Sequence, residues 1–345
     1  MNKKKIINIA RVIAVIVTIT SIYLFAPWQY GLYYLEPLPA TIADELTDAT
    51  ANHGADGVIV YVNRGGKSSD FYAGGWFDRA AKISAEPHAL FKIASIGKLY
   101  DAAAVTKLVG AGDLDLDKTL ADYLPDLVGR IEYADQITIR MMVMHRSGIP
   151  NFTDQPEYNW AESSLDVLEM VLDKPALFVP GTDYSYSNTN YLLLTRIIES
   201  IVGYPYAQYA REVILQPLGL EQTYFSVHEI NLDNLMSGYY VGHPDDFKAL
   251  NQGMVATAED VGIFLRALID GTLFSDEEQG IYSAIYEYEH TGWVLGYQSV
   301  ARYHQDIDAV VIMFLSTTGG ETILLRDVIY SRVMDIIRTQ GEETS

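Results

Sequence analysis

FKIASIGKLY, residues 91–100, sets Ser95 three positions ahead of Lys98 just where the chain takes on a helical repeat. Ile96, Leu99, Ala103 and Leu108 fall close to one helical face, and Gly110 and Gly112 are stop signals, so the spacing predicts a mostly buried helix over about residues 95–110. Ser95 then occupies the first turn, where unpaired N–H groups and the positive end of the helix favour negative charge developing on an oxygen. Lys98 at i+3 shares that face. A buried ammonium is costly unless it is paired or neutralised, and a Lys whose pKa is lowered by burial is a base for the Ser hydroxyl. The plainer alternative has Lys98 reaching solvent and Ser95 only capping the helix. The pair is no proof by itself. With each residue type at about 6%, a chain this long holds roughly one Ser-x-x-Lys by chance.

Upstream, GVIVYVNRGGKSSDFYAGG has two β-rich runs separated by Gly65 and Gly66, a hairpin signal. Ahead of it, TIADELTDATANHG reads as a helix capped by Thr41 and ending near Gly54. The first residues, MNKKKIINIARVIAVIVTITSIYLFAPW, put Lys3, Lys4, Lys5 and Arg11 before an apolar run from Val12 to Ala26. Ile6, Ile7 and Ile9 extend that run to about the 20 residues a span requires. Ala26 followed by Pro27 makes a poor cleavage site, which favours an uncleaved single-pass membrane anchor; secretion after signal cleavage is the alternative. In both cases the basic flank stays cytoplasmic and the body is exported. Residues 27–40, PWQYGLYYLEPLPA, read as a connector along the membrane surface, where Trp and Tyr sit well.

The chain has 345 residues, 24 Lys plus Arg and 45 Asp plus Glu. Without the four basic residues before position 27, the body carries 20 − 45 = −25 charges, which repels phosphate backbones and makes nucleic acid a poor partner. The absence of cysteine removes disulfides and a thiol nucleophile, and the seven scattered His residues give no positive support for a metal. With 49% hydrophobic and 20% charged residues the chain reads as folded, in one large two-lobed domain or two domains.

Two further stretches carry chemistry. VPGTDYSYSNTNYLLLTRIIESIVG holds Tyr186, Ser187 and Asn188 in a loop between Pro180–Gly181 and an apolar helix ending at Gly203. A Tyr hydroxyl there can relay protons, and an Asn amide can bind a substrate carbonyl. Tyr61-Val62-Asn63 repeats the pattern inside the hairpin, so Tyr-x-Asn alone is weak. In EYEHTGWVLGYQS, residues 285–289 alternate as in a strand that continues into His290, Thr291 and Gly292. Gly292 lets backbone lie against a substrate, and the N–H groups of Trp293 and Ser95 could share an oxyanion. His145, in MMVMHRSGIPNF, is read as structural, in a helix that ends at Gly148.

Ser95-x-x-Lys98, Tyr186-Ser187-Asn188 and His290-Thr291-Gly292 stand in one order along the chain. Together with LDLDKTLADYLPDL, LQPLGLEQTYF and ATAEDVGIFLRALIDG, they make residues 41–338 resemble the serine β-lactamase, D-alanyl-D-alanine peptidase and esterase superfamily, most like its class C-type branch. The resemblance implies an α+β fold: an antiparallel sheet flanked by helices and built from both chain ends, with a largely helical lobe inserted. On this chain that gives a basic start at 1–5, a membrane helix at 6–26, a connector at 27–40 and a domain at 41–345. The sheet lobe takes 41–95 and 283–345, and the helical lobe 96–282. SVARYHQDIDAVVIMFLST returns to β before a last helix from about Glu321 to Thr339.

Carried over, Ser95 is the nucleophile, Lys98 its activating partner and Tyr186 the general base. Asn188, His290, Thr291 and Gly292 bind substrate, and the main-chain N–H groups of Ser95 and Trp293 form the oxyanion hole. The reaction is acyl transfer to water without metal or cofactor, on a small-molecule or peptide substrate. One departure matters: typical β-lactamases of this branch carry Lys where this chain has His290. A His is only partly charged near neutral pH and holds a carboxylate less firmly, so a D-amino-acid peptide or carboxylic ester is at least as good a candidate as a β-lactam. The rival reading from another class is a non-catalytic, membrane-anchored protein that binds cell-wall peptide or a protein partner. Transfer of the acyl group to an alcohol or amine shares the same first half-reaction.

Overall fold

The computed structural model describes residues 3–65, 67–161 and 166–342. The hairpin signal is realised as strands β1 (Gly57–Arg64) and β2 (Asp70–Asp78), paired antiparallel from Gly57↔Gly75 to Val62↔Asp70. Gly66 of the expected turn lies outside the described residues. Gly65 has its own reason to be glycine, since a Cβ there would come within 1.8 Å of the Asp308 carboxylate. With β3 (Ile83–Ser84), β4 (His290–Val294), β5 (Tyr297–His304) and β6 (Ala309–Leu315), they form one six-stranded sheet in the order β3-β2-β1-β6-β5-β4, antiparallel throughout. The two central strands, β1 and β6, come from opposite ends of the chain and pair from Val58↔Leu315 to Arg64↔Ala309.

Strand alternation sends side chains to two cores. Val58, Val60 and Val62, with Val311, Met313 and Leu315, pack under α3 (Ile42–Asn52) and the long C-terminal helix α8 (Thr322–Glu342). Ile59, Tyr61, Ile312 and Phe314 face the other way, onto α4 (Gly97–Ala111) and α6 (Ala258–Asp270). Helix α4 is buried nearly all round, as a helix at the centre of a large domain must be, and Gly112 ends it in the left-handed region at φ +79°. Beyond it lie α5 (Asn188–Val202) and α7 (Asp276–Ile285), with a long irregular stretch ahead of α5.

Two features differ from the sequence reading. Residues 285–289 are not strand: α7 runs to Ile285, and β4 starts at His290. The alternation there reflects Tyr286 and Tyr288 packing against the core while Glu287 and Glu289 face solvent, which a single irregular crossing produces as readily as a strand. The connector also holds a helix that its sequence reading did not include. After the apolar helix α1 (Lys3–Phe25), Trp28–Leu35 forms helix α2, which docks on the body. Its Tyr33 is fully buried and donates to Glu45 Oε1. The carboxylate of Glu45 in turn takes two bonds from Arg332 of α8, at 2.8 and 2.9 Å, and Arg332 also donates to the carbonyls of Tyr33, Glu36 and Pro37.

This ion pair is almost wholly shielded from water, so removing one partner strands the other. Glu45→Gln is expected to cost about 3–5 kcal/mol, read as a lowered midpoint of denaturant unfolding.

Candidate active site

The turn that carries Ser95 is built under tension. Residues Ala94–Ile96 form a 3₁₀ turn ahead of α4, and Ala94, not a glycine, takes φ +51°. Such a residue costs of order 1–3 kcal/mol and persists only where its surroundings hold it. Here they do: Ile93 donates its N–H to Met254 O at 3.0 Å, and Ser299 Oγ donates to Ile93 O at 2.8 Å. Gly292 of β4 lies against the same turn. A Cβ at Gly292 would meet Ser299 Oγ at 2.3 Å, Ile93 O at 2.5 Å and Ala94 Cβ at 2.9 Å, so the strand reaches the turn only as glycine. The glycine therefore serves the fit of β4 to the Ser95 turn, besides lining the cleft.

Lys98 does not reach solvent. It is more than nine-tenths buried, donating to Ser95 Oγ at 3.2 Å and to Asn188 Oδ1 at 2.8 Å, with its Nζ 5.1 Å from the Tyr186 ring and 5.3 Å from the Tyr191 ring. Tyr186 OH donates to the same Ser95 Oγ at 2.8 Å. Asn188, the first residue of α5, is fixed by Asn151, whose Oδ1 accepts from both its backbone N–H and its amide, at 3.1 and 3.3 Å. Thr153 Oγ1 accepts a further bond from that amide. The second Tyr-x-Asn plays no part: Tyr61 accepts from Ser69, and Asn63 ties Arg266 to the sheet.

These groups face a cleft of about 590 Å³, with Ser95, Lys98, Tyr186 and Asn188 on one side and the first four residues of β4, His290, Thr291, Gly292 and Trp293, on the other. All eight sequence-derived site residues thus line one cavity. Trp160 packs edge-on to Trp293 at 5.1 Å and its carbonyl accepts from Gln252 Nε2, so this part of the cleft wall is aromatic. Burial pushes His290 down to about 4, against a smaller raising effect of its bond to Thr291 O, so the ring is neutral at pH 7 rather than partly charged.

His145 sits behind the site. The preceding helix stops at Val143, short of the expected Gly148, because His145 itself turns into the left-handed region at φ +56°. Its Nδ1 accepts the Ser187 N–H at 3.1 Å, its carbonyl accepts the Ser185 N–H, and its ring lies 4.4 Å from that of Tyr186. It holds the Tyr186 loop on both sides of the tyrosine. Burial, with Lys98 and His290 adding to it, pushes this ring down to about 3.

Sequence reasoning missed four contributors. Asn151 and Thr153 follow the quoted Gly148–Pro150 turn, and their role depends on contact with Asn188, 37 and 35 positions away. Asp101, one turn beyond Lys98, accepts from Tyr206; burial pushes its carboxyl up to about 6, with that bond and Lys98 pulling the other way. Lys92 is fully buried, donates to the carbonyls of Phe247 and Leu250 at 2.6 and 2.7 Å, and so pins the segment whose residues Leu250–Gly253 wall the cleft. Burial pushes its ammonium down to about 7. A Lys inside an apolar run between hairpin and helix was the available signal.

The beta-lactamase family profile matches residues 42–329. The chain belongs to this family. Its fold is the α+β serine-hydrolase fold of β-lactamases and transpeptidases. It is similar to the D-amino acid amidase of Ochrobactrum anthropi SV3, solved with L-phenylalanine amide, at 25% identity and a TM-score of 0.76 over 87% of this chain and 98% of that one. It also superposes on a penicillin binding protein from Bacillus halodurans, with 21% identity and a TM-score of 0.70 over 86% of this chain and 99% of that one, a likeness of fold. A Salmonella agona (strain SL483) protein named "Putative D-alanyl-D-alanine carboxypeptidase" is 31% identical over 157 residues, which are 43% of this chain and 36% of that relative's length.

Two outcomes follow from the packing behind the site. Both histidines sit below their ordinary value when folded, so the unfolded chain binds more protons between about pH 4 and 6.5 and stability falls as pH drops through that window. In His145→Asn, whose amide oxygen can still accept the Ser187 N–H, the loss on acidification should be smaller, as measured by urea midpoints across the window. Lys92→Met leaves two carbonyls unpaired at about 1–3 kcal/mol each, and should raise KM more than it lowers kcat by loosening the 247–253 wall.

Proposed function

We propose that this chain is an exported, membrane-anchored serine hydrolase that cleaves an amide or ester through an acyl-enzyme on Ser95. The observation that carries the reading is the meeting of Tyr186 OH and Lys98 Nζ at one hydroxyl oxygen, Ser95 Oγ, at 2.8 and 3.2 Å. In the first half-reaction Ser95 Oγ bonds to the substrate carbonyl carbon while its proton passes to Tyr186 as general base, steadied by the adjacent Lys98. The oxyanion is received by the main-chain N–H groups of Ser95 and Trp293. Tyr186 then returns the proton to the departing nitrogen or oxygen. Water repeats the sequence on the acyl-enzyme, with Tyr186 again as base. Asn188 and Thr291 orient the acyl part of the substrate.

The substrate class follows from the names of the relatives and from His290. A neutral imidazole supplies a hydrogen bond but no cation for a carboxylate, which suits an amide or ester of a D-amino acid better than a β-lactam or a peptide that ends in a free carboxylate. For placement, α1 is long and apolar enough to cross a membrane, with Lys3, Lys4 and Lys5 in its first turn, an arrangement that leaves the body on the extracytoplasmic side.

A fluorophosphonate probe should add once to the wild-type protein and not to Ser95→Ala, as read by intact mass. No adduct on folded wild type would leave the anchored binding protein as the better reading. Tyr186→Phe should keep the fold and lower kcat by about 10²–10⁴ on whichever D-amino-acid amide or ester is turned over.

A further inference from the structure

Helix α2 has two faces. Tyr33 turns onto the body, whereas Trp28, Leu32 and Leu35, at i, i+4 and i+7, form an opposite stripe in which each is more than half exposed. Beside it, at the first turn of α8, Ile323 and Leu324 are each at least two-fifths exposed. Between the two helices runs a groove of about 520 Å³, walled by Trp28, Gly31, Tyr34, Leu324 and Val328 and reaching Ala26 and Pro27, the first residues past α1. Exposed apolar side chains elsewhere on the body, among them Val128, Leu177, Val179 and Val241, lie outside this groove.

We propose that this corner of the body is embedded in the bilayer surface, with the exposed stripe of α2 and the first turn of α8 in the interface and a lipid acyl chain in the groove. The inference rests on the membrane-anchor reading and adds a surface to it. The groove is continuous with the apolar helix that reaches the bilayer, and Trp28, Tyr30 and Tyr34 around it are the residue types that settle at the headgroup level. Charge does not supply the attraction. The body carries −25, and the one charged residue lining the groove, Asp327, is paired with Arg326 at 2.8 Å. Insertion is therefore apolar and gains nothing from anionic lipid. Arg326 itself lines the catalytic cleft, while Leu324, Asp327 and Val328 line the groove. The first turns of α8 thus border both cavities, which favours substrates held at the membrane.

The chain has no cysteine, so single cysteines carrying a nitroxide can be placed without background. In proteoliposomes of the full chain, collision with oxygen against a water-soluble nickel chelate separates lipid from water for labels at Val15 in α1, Leu324 in α8 and exposed Val241, in variants whose thermal unfolding matches wild type. The expected result is an oxygen-to-nickel ratio several-fold higher at Val15 and Leu324 than at Val241 in phosphatidylcholine, and no higher at Leu324 when phosphatidylglycerol is added. Val15 in lipid with Leu324 in water would overturn the proposal and leave the anchor standing. Val15 in water would remove the anchor and the proposal together. A Leu324 ratio that rises with phosphatidylglycerol would overturn the apolar mode of contact.

Discussion

The amine of Lys98, withdrawn from water on the central helix, has to be met by acceptors, and the two it finds decide how the cleft is assembled. Ser95 Oγ is on its own turn, but Asn188 Oδ1 comes from another helix, 90 positions on. Asn188 can present that oxygen only because its amide N–H and backbone N–H are held by Asn151. The need to satisfy one buried cation thus ties three distant stretches of chain. Tyr186, two residues before Asn188, arrives at Ser95 as a consequence of that tie.

A second constraint works from the opposite wall. The Ala94 turn holds its unfavourable backbone because β4, β5 and the Met254 carbonyl grip it, and β4 can approach only through Gly292. The two walls are therefore positioned against Ser95 independently, one by hydrogen bonds to a buried amine and one by backbone contact. Behind the first wall His145 stands on both sides of Tyr186 without reaching Ser95, so a histidine beside the site acts here as part of its frame.

Much of this was legible in the sequence because it is local. The Thr41 cap accepts from Asp44, Gly112 and Gly203 end their helices at positive φ, and the hairpin pairs as its β-rich runs suggest. The three motifs were legible through their order, although each is weak alone. What escaped depends on contacts between residues far apart. Asn151, Asp101 and Lys92 are ordinary residues until the fold brings partners to them. The alternation at 285–289 mimics a strand because a segment crossing between core and solvent also alternates. The docking of α2 was hidden for the same reason, since Tyr33 finds Glu45 close by but Arg332 only at the far end of the chain.

The strand order has a consequence in time. β6, residues 309–315, lies between β1 and β5 in the middle of the sheet, yet it is the last of that sheet's strands to be made. Until it arrives, β1 presents an open edge, and β4 has only its hairpin partner β5 to pair with. The strained Ala94 turn is gripped by β4 and β5, so it is not fixed until that hairpin joins the sheet through β6. A ribosome has to pass residue 315 before the turn that carries Ser95 is complete.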